Sequence, residues 1–363
     1  MSDAVEQAWG WPPLRRGLVG EVPYGAPQLD VPIQLNVNEN PYGPSAEIAG
    51  DLAKAIAEIT GTLNRYPDRE FTQLRKRLAN YLGHGLEPAQ IWAANGSNEV
   101  MLQILQAFGG PGRTCVSFAP TYSMYPEYAR ATHTQVVEGP READFTLRAE
   151  ATAQAVGSTS PDIVMLASPN NPTGTALQPE VLRAVLEVAP GMVVVDEAYA
   201  EFARTGTGSA LDPLADHPRL IVTRTMSKAF AMAGARVGYA AAAPEVIDAL
   251  RVVRLPYHLS SVTQVVALTA LGHADELLGA VDLLREERDT MVGWLRSQGL
   301  TVAESDANFV YFGVFADAES VWRSLLDSGV LVRLTGPAGW LRVSIGTPAE
   351  NDAFRTALVE ALG

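Results

Sequence analysis

Thr223-Arg224-Thr225-Met226-Ser227-Lys228-Ala229-Phe230, closed by Gly234-Ala235-Arg236-Val237-Gly238-Tyr239, is the stretch around which this chain is organised. The preceding Leu220-Ile221-Val222 reads as a short apolar strand. It delivers a lysine into a turn rich in hydroxyls, and an arginine follows between two glycines. A lysine at the end of a buried strand loses water, which lowers its pKa and turns its amine into a nucleophile. Flanking hydroxyls and an arginine can hold a phosphate dianion beside it. The combination points to an amine that condenses with a phosphorylated aldehyde, of which pyridoxal phosphate is the example. A Ser-Lys pair standing alone is more often a solvated turn, so the rest of the chain has to decide.

The 363 residues suffice for two domains, and a hydrophobic fraction of 47% supports a sizeable core. The net charge of −14 disfavours nucleic acid and anionic membranes as partners, because the field repels phosphate. A phosphorylated ligand therefore needs a local basic pocket. Cys115 is the single cysteine, which excludes an intrachain disulfide; at the start of a strand it reads as core. No basic segment followed by an apolar one opens the chain, and no apolar run reaches bilayer length. A cytoplasmic protein is the simplest expectation.

Residues 1–44 are rich in Pro and Gly, as in Trp11-Pro12-Pro13 and Val22-Pro23-Tyr24-Gly25-Ala26-Pro27, and read as an extended arm laid on another surface. Ile33 to Val37 alternates and suits one strand. Ser45 caps a helix running to about Glu58. Phe71 to Leu82 is a second helix, with Leu74, Leu78 and Leu82 on one face. Ile91 to Ala94 is a strand that enters Asn95-Gly96-Ser97-Asn98 and a helix; this strand, glycine turn and helix start can bind phosphate on free backbone N–H groups. Strands and helices then alternate. Thr114–Phe118, Asp162–Ala167, Met192–Asp196 and Leu220–Thr223 are near-continuous apolar strands, which implies a mostly parallel sheet covered on both faces. Ligands of such sheets sit beyond the carboxyl ends of the strands, where the polar motifs of this chain also fall. After Pro244 the texture changes. Val262 to about Gly299 is mostly helical, with Glu286, Glu287, Arg288 and Asp289 on a wet face. A smaller α/β unit follows: Asn308–Phe312, Leu331–Arg333 and Leu341–Ile345 as strands, Ser320–Ser328 as helix. The Ala-rich patches at 149–155 and 229–243 read as compositional.

Four strand-end motifs now stand together: Asn95-Gly96-Ser97-Asn98, Asn170-Asn171-Pro172-Thr173-Gly174, Asp196-Glu197-Ala198-Tyr199, and Ser227-Lys228 with Arg236. In this order and spacing they resemble the fold-type I aminotransferases that depend on pyridoxal 5'-phosphate, in the class II group. The resemblance spans nearly the whole chain. It implies an α/β fold with a large domain (45–250) around a mostly parallel seven-stranded sheet sandwiched by helices. A smaller C-terminal α/β domain (251–363) follows, joined by the N-terminal arm (1–44). It gives Lys228 the role of Schiff-base lysine and proton shuttle. Asp196 would pair with the protonated pyridine nitrogen and keep the ring an electron sink; alone, such an aspartate equally suits a helix cap or core ion pair. Asn171 and Tyr199 would hydrogen-bond the ring oxygen, and Tyr122 would stack on the ring face. Ser97, Asn98, Ser227 and Arg236 would hold the phosphate, and Thr225 would be a further cofactor-binding residue.

Pro23-Tyr24-Gly25-Ala26-Pro27, Leu35-Asn36-Val37-Asn38-Glu39-Asn40-Pro41, Arg65-Tyr66-Pro67-Asp68 and Ser305-Asp306-Ala307-Asn308-Phe309 are similar to the bacterial histidinol-phosphate aminotransferases. That likeness implies a homodimer with the active site at its interface, in which Tyr66 reaches the cofactor phosphate of the other subunit. It implies a ping-pong exchange of an amino group between glutamate and imidazole acetol phosphate, giving 2-oxoglutarate and histidinol phosphate. Arg342, with Arg333 nearby in sequence, is the expected clamp for the substrate phosphate. Tyr24 and Glu39 would close over the imidazole. The turn from Leu334 to Trp340 departs from this pattern in carrying no further basic residue. Three rivals stay open: an aromatic amino acid aminotransferase of the same fold, a decarboxylase of an amino-acid phosphate, and a cofactor-binding regulator. The last has no attached DNA-binding segment to support it.

Overall fold

A computed structural model describes residues 14–363; the Trp11-Pro12-Pro13 end of the expected arm lies outside the described residues. The strands in chain order are β1 (Ile33–Gln34), β2 (Ile91–Asn95), β3 (Thr114–Ala119), β4 (Gln135–Pro140), β5 (Ile163–Ala167), β6 (Met192–Asp196), β7 (Leu220–Thr225) and β8 (Val237–Ala242), then β9 (Thr301–Val302), β10 (Phe309–Gly313), β11 (Val330–Leu331), β12 (Arg333–Leu334) and β13 (Trp340–Ser344). Seven of them form one sheet in the order β2-β8-β7-β6-β5-β3-β4. Only β8 runs against the rest, pairing antiparallel with both β2 and β7. The mostly parallel sheet read from the apolar runs is therefore present, and the carboxyl ends of β2, β3, β5, β6 and β7 share one edge.

The parallel strands are apolar on both faces because helices cover both. Met192–Asp196 and Ile163–Ala167 are buried at every position. Ser45 caps the helix Ala46–Thr60 as expected, accepting from the Ile48 backbone N–H. A second, antiparallel sheet has the order β12-β13-β10-β9 and its own apolar core, which includes Phe309, Phe312, Leu341 and Phe354. The arm contributes β1, which pairs in parallel with β11.

Five sequence readings need correction. The Ala-rich patch at 229–243 contains β8, a fully buried strand. Its small residues reflect crowding: a Cβ on Gly238 would lie 2.0 Å from the Ser97 backbone nitrogen. The patch at 149–155 opens the helix Ala149–Thr159. The expected strand Leu331–Arg333 is split between two sheets. The strand in the arm is shorter than Ile33–Val37, ending at Gln34. Arg288 does not lie on a wet face. It is buried and donates to the carbonyls of Phe202 and Ala307, tying the helix Ala280–Ser297 to the loops beneath it. Cys115 is buried, as its place in a strand suggests. Among the described residues no helix is long and apolar enough to cross a membrane.

Candidate active site

A cavity of about 260 Å³ lies beyond the shared strand edge, between the two sheets and under the arm. Lys228, three residues past β7, reaches into it. Its Nζ donates to the Val37 carbonyl of the arm at 2.9 Å and stands 5.9 Å from the Tyr199 ring centre. Loss of water pushes its pKa down to about 8, and the nearby Arg342 and Arg236 guanidiniums push the same way. The chain has three lysines; Lys54 and Lys76 are exposed, so Lys228 alone is withdrawn from solvent.

Asp196 is the last residue of β6, buried at the cavity wall. Burial raises its pKa to about 6. Three neutral donors oppose that rise: the Tyr125 hydroxyl at 3.2 Å, the Ala198 backbone N–H at 3.2 Å and the Thr223 hydroxyl at 3.4 Å. No cationic side chain among the described residues pairs with it. A buried carboxylate that has donors but lacks a cation is suited to a cationic N–H brought by a ligand.

The opposite end of the cavity is a cradle for an anion. Gly96 takes φ +83° and turns β2 into the helix Ser97–Phe108, so the first free N–H groups of that helix face the site. Arg236 is itself left-handed at φ +56° and donates to the Ser227 hydroxyl at 3.3 Å. Ser227 also accepts from Thr225. A Cβ on Gly96 would meet Arg236 Nη2 at 2.4 Å, so the turn needs glycine for the guanidinium to lie across it. Asn98 Oδ1 accepts from the Tyr122 and Tyr128 hydroxyls, which fixes the Tyr122 ring at the wall.

Arg342 lies in the middle of β13, buried, 5.2 Å over the Phe309 ring. It donates to the Asn36 carbonyl at 2.6 Å and to Asn171 Oδ1, while its Nε is buried without a partner. No carboxylate among the described residues neutralises it. Burial lowers its pKa to about 10, so it stays cationic at neutral pH. Such a charge is an anion site in waiting. Tyr199 accepts from Asn38 Nδ2 at 3.0 Å; burial raises its pKa, and Arg342 opposes the rise.

Most residues chosen from the sequence converge here: Ser97, Asn98, Tyr122, Asn171, Asp196, Tyr199, Thr225, Ser227, Lys228, Arg236 and Arg342 line the cavity. Tyr24 and Arg333 also line it, at the rim. The Tyr24 hydroxyl accepts from Ser123, and Arg333 makes only long contacts of 3.4 Å with the Gly25 carbonyl. Glu39 is exposed and does not line the wall, though its charge lies near enough to Lys228 to oppose the fall in that amine's pKa. Tyr66 is 79% exposed and stacked on Tyr257, outside this chain's cavity. Sequence reasoning missed Tyr125, Asn36 and Asn38. Tyr125 opens the helix Tyr125–Thr132 and meets Asp196 only across the assembled sheet; Asn36 and Asn38 stand in the arm motif quoted above but were given no role there.

The profile of aminotransferase class I and II matches residues 30–358. The chain belongs to the class I and II aminotransferases. Within this family it is 60% identical to the histidinol-phosphate aminotransferase of Thermobifida fusca, over 97% of this chain and 96% of that protein. It is 56% identical to that of Paenarthrobacter aurescens, over 100% and 98%. Among solved structures, the histidinol-phosphate aminotransferase of Sinorhizobium meliloti, in complex with pyridoxal-5'-phosphate, superposes with a TM-score of 0.83 at 28% identity, covering 92% of this chain and 91% of that one.

Proposed function

We propose that this aminotransferase binds pyridoxal 5'-phosphate and transfers an amino group between glutamate and imidazole acetol phosphate, the exchange that gives histidinol phosphate in histidine biosynthesis. One observation carries the chemistry: the single lysine withdrawn from solvent shares a cavity with a buried carboxylate lacking a cation and a buried arginine lacking a carboxylate. The names of the relatives in Thermobifida fusca and Paenarthrobacter aurescens support the substrate.

The residues present fit the cofactor. Asp196 needs a cationic N–H, and the Gly96–Ser97 turn with Ser227 and Arg236 offers a phosphate its donors. When bound, pyridoxal phosphate supplies the aldehyde carbon that carries the amino group and a ring that spreads the charge left at the substrate Cα. Asp196 would hold the proton on the ring nitrogen. Tyr199 and Asn171 would donate at the ring oxygen, with Asn38 and Arg342 fixing their orientation. Tyr122, on the cavity wall, would cover one ring face. Lys228 Nζ would move the proton at the substrate Cα, work that suits an amine with a pKa near 8. Arg342, with Arg333 at the rim, holds the substrate anion, and Tyr24 closes the arm side of the pocket.

The same reading makes the protein a homodimer in which Tyr66 serves the other subunit's phosphate. Its exposure in this chain supports that role. The two apolar cores support a large unit and a small one, with the arm joined to the latter through β1; Leu259, Ala267, Ala270, Leu271 and Leu277 pack in the large unit's core, so the division falls after Leu277 and not at 250. A buried, single cysteine fits a cytoplasmic setting.

The test is kcat/KM for histidinol phosphate against phenylalanine, both with 2-oxoglutarate. Charge-assisted contacts from Arg342 to the phosphate predict a preference of roughly 100-fold for histidinol phosphate. A preference for phenylalanine would transfer the chain to the aromatic aminotransferases of this fold.

A further inference from the structure

Outside the cavity, the segment 254–264 binds two distant parts of the chain together. The His258 ring lies flat on Trp92, with centroids 5.4 Å apart and planes 11° apart, and meets the edge of Phe71 at 5.7 Å. Its Nε2 contacts the Ala93 carbonyl at 2.9 Å. A carbonyl only accepts, so the proton sits on Nε2. The His258 carbonyl in turn accepts from Asn95 Nδ2 at 2.8 Å. Ala93 and Asn95 are the last residues of β2 before the Gly96–Ser97 turn. One residue therefore grips the root of the anion cradle through both its ring and its backbone.

The same segment grips residues 66–70. Gln264 Nε2 donates to the Asp68 carbonyl at 2.9 Å, and Arg254 donates to the Arg69 carbonyl at 2.6 Å and to Glu70 at 2.5 Å. Tyr257, next to His258, stacks on Tyr66 with centroids 4.4 Å apart and planes 15° apart. Tyr66 itself is 79% exposed and Tyr257 40%, so the stacked pair faces outward from this chain. An exposed aromatic pair of this kind suits a second copy of this chain.

We propose that His258 is a positioning residue for two sites at once: it fixes the phosphate turn of its own chain and, through Tyr257, sets the reach of Tyr66 into the partner's site. The proposal rests on the dimeric reading of Tyr66 given above. It predicts that the two sites of a dimer share cofactor affinity through one imidazole.

Mixed dimers test this. One chain carries Lys228→Ala, so that the visible band of bound pyridoxal phosphate reports only the other chain's site. Second substitutions are placed on the Lys228→Ala chain. His258→Ala there weakens pyridoxal phosphate binding at the intact chain's site roughly tenfold, the loss expected when a buried hydrogen bond and a stack disappear together. His258→Gln, which keeps an N–H donor for the Ala93 carbonyl, restores part of that affinity. Tyr257→Ala, at a half-exposed position that folding tolerates, weakens the intact site in the same arrangement. On the intact chain itself, His258→Ala weakens binding directly through the turn, whereas Tyr257→Ala does not. Tyr66→Phe on the Lys228→Ala chain is the control. If it weakens the intact site while His258→Ala and Tyr257→Ala do not, the proposal is wrong and the dimeric reading stands. If Tyr66→Phe is also without effect, the dimeric reading fails and the proposal falls with it.

Discussion

Burying Lys228 should make the cofactor-free protein less stable than it would be without that lysine. The perturbation is Lys228→Met, which keeps the length of the side chain and removes its charge. A fall in pKa from 10.5 in the unfolded chain to about 8 in the fold corresponds to about 3 kcal/mol of destabilisation at pH 7. The substitution also removes the Nζ to Val37 hydrogen bond, which takes back about 1 kcal/mol. A net gain of about 2 kcal/mol should raise Tm by about 2–4 °C in a chain of this size. The pH dependence separates this cause from simple packing. Between pH 8 and 10.5 the unfolded lysine holds a proton that the folded one has lost, so the parent gains stability as pH rises. Below pH 8 both states hold the proton and the gap between parent and variant stays constant. Thermal denaturation of both cofactor-free proteins at pH 7 and at pH 10 reads this out. The variant should melt higher at pH 7, and the gap should close by pH 10. A variant that melts lower at pH 7, or a gap unchanged by pH, would refute the claim that this amine is held desolvated.

Three more outcomes follow from the geometry. Gly96→Ala places a Cβ 2.4 Å from Arg236 Nη2 and strains a φ of +83°, so pyridoxal phosphate affinity should fall by a factor of roughly 10–100 in a cofactor titration. Arg342→Gln should raise KM for histidinol phosphate by roughly 30-fold or more, because the substrate anion loses its buried cation. Arg224→Met leaves Glu197 buried without its ion-pair partner at 2.7 Å, and should cost about 3–5 kcal/mol in denaturant unfolding of the cofactor-free protein.

The site was legible in the sequence because its residues sit where apolar strands end. Asp196 closes five residues buried throughout, and Lys228 follows the buried strand β7, so hydrophobic patterning alone points at both. β8 was hidden because packing against β2 and β7 selects glycine and alanine, which carry no strand signal of their own. Arg288 looked exposed because it stands among charged neighbours; two carbonyls from other segments draw it inward, and no local pattern records them. Tyr125 was missed because its partner, Asp196, is reached only after the sheet assembles. Glu39 was placed by likeness; it is exposed and off the cavity wall, and only its charge reaches Lys228.

Borohydride reduction of the cofactor-loaded protein, followed by peptide mass mapping, tests the central claim most directly. The chain offers three lysines, and the account predicts one pyridoxyl adduct, on the peptide containing Lys228, with Lys54 and Lys76 unmodified. An adduct on Lys54 or Lys76, or none on Lys228, would contradict it.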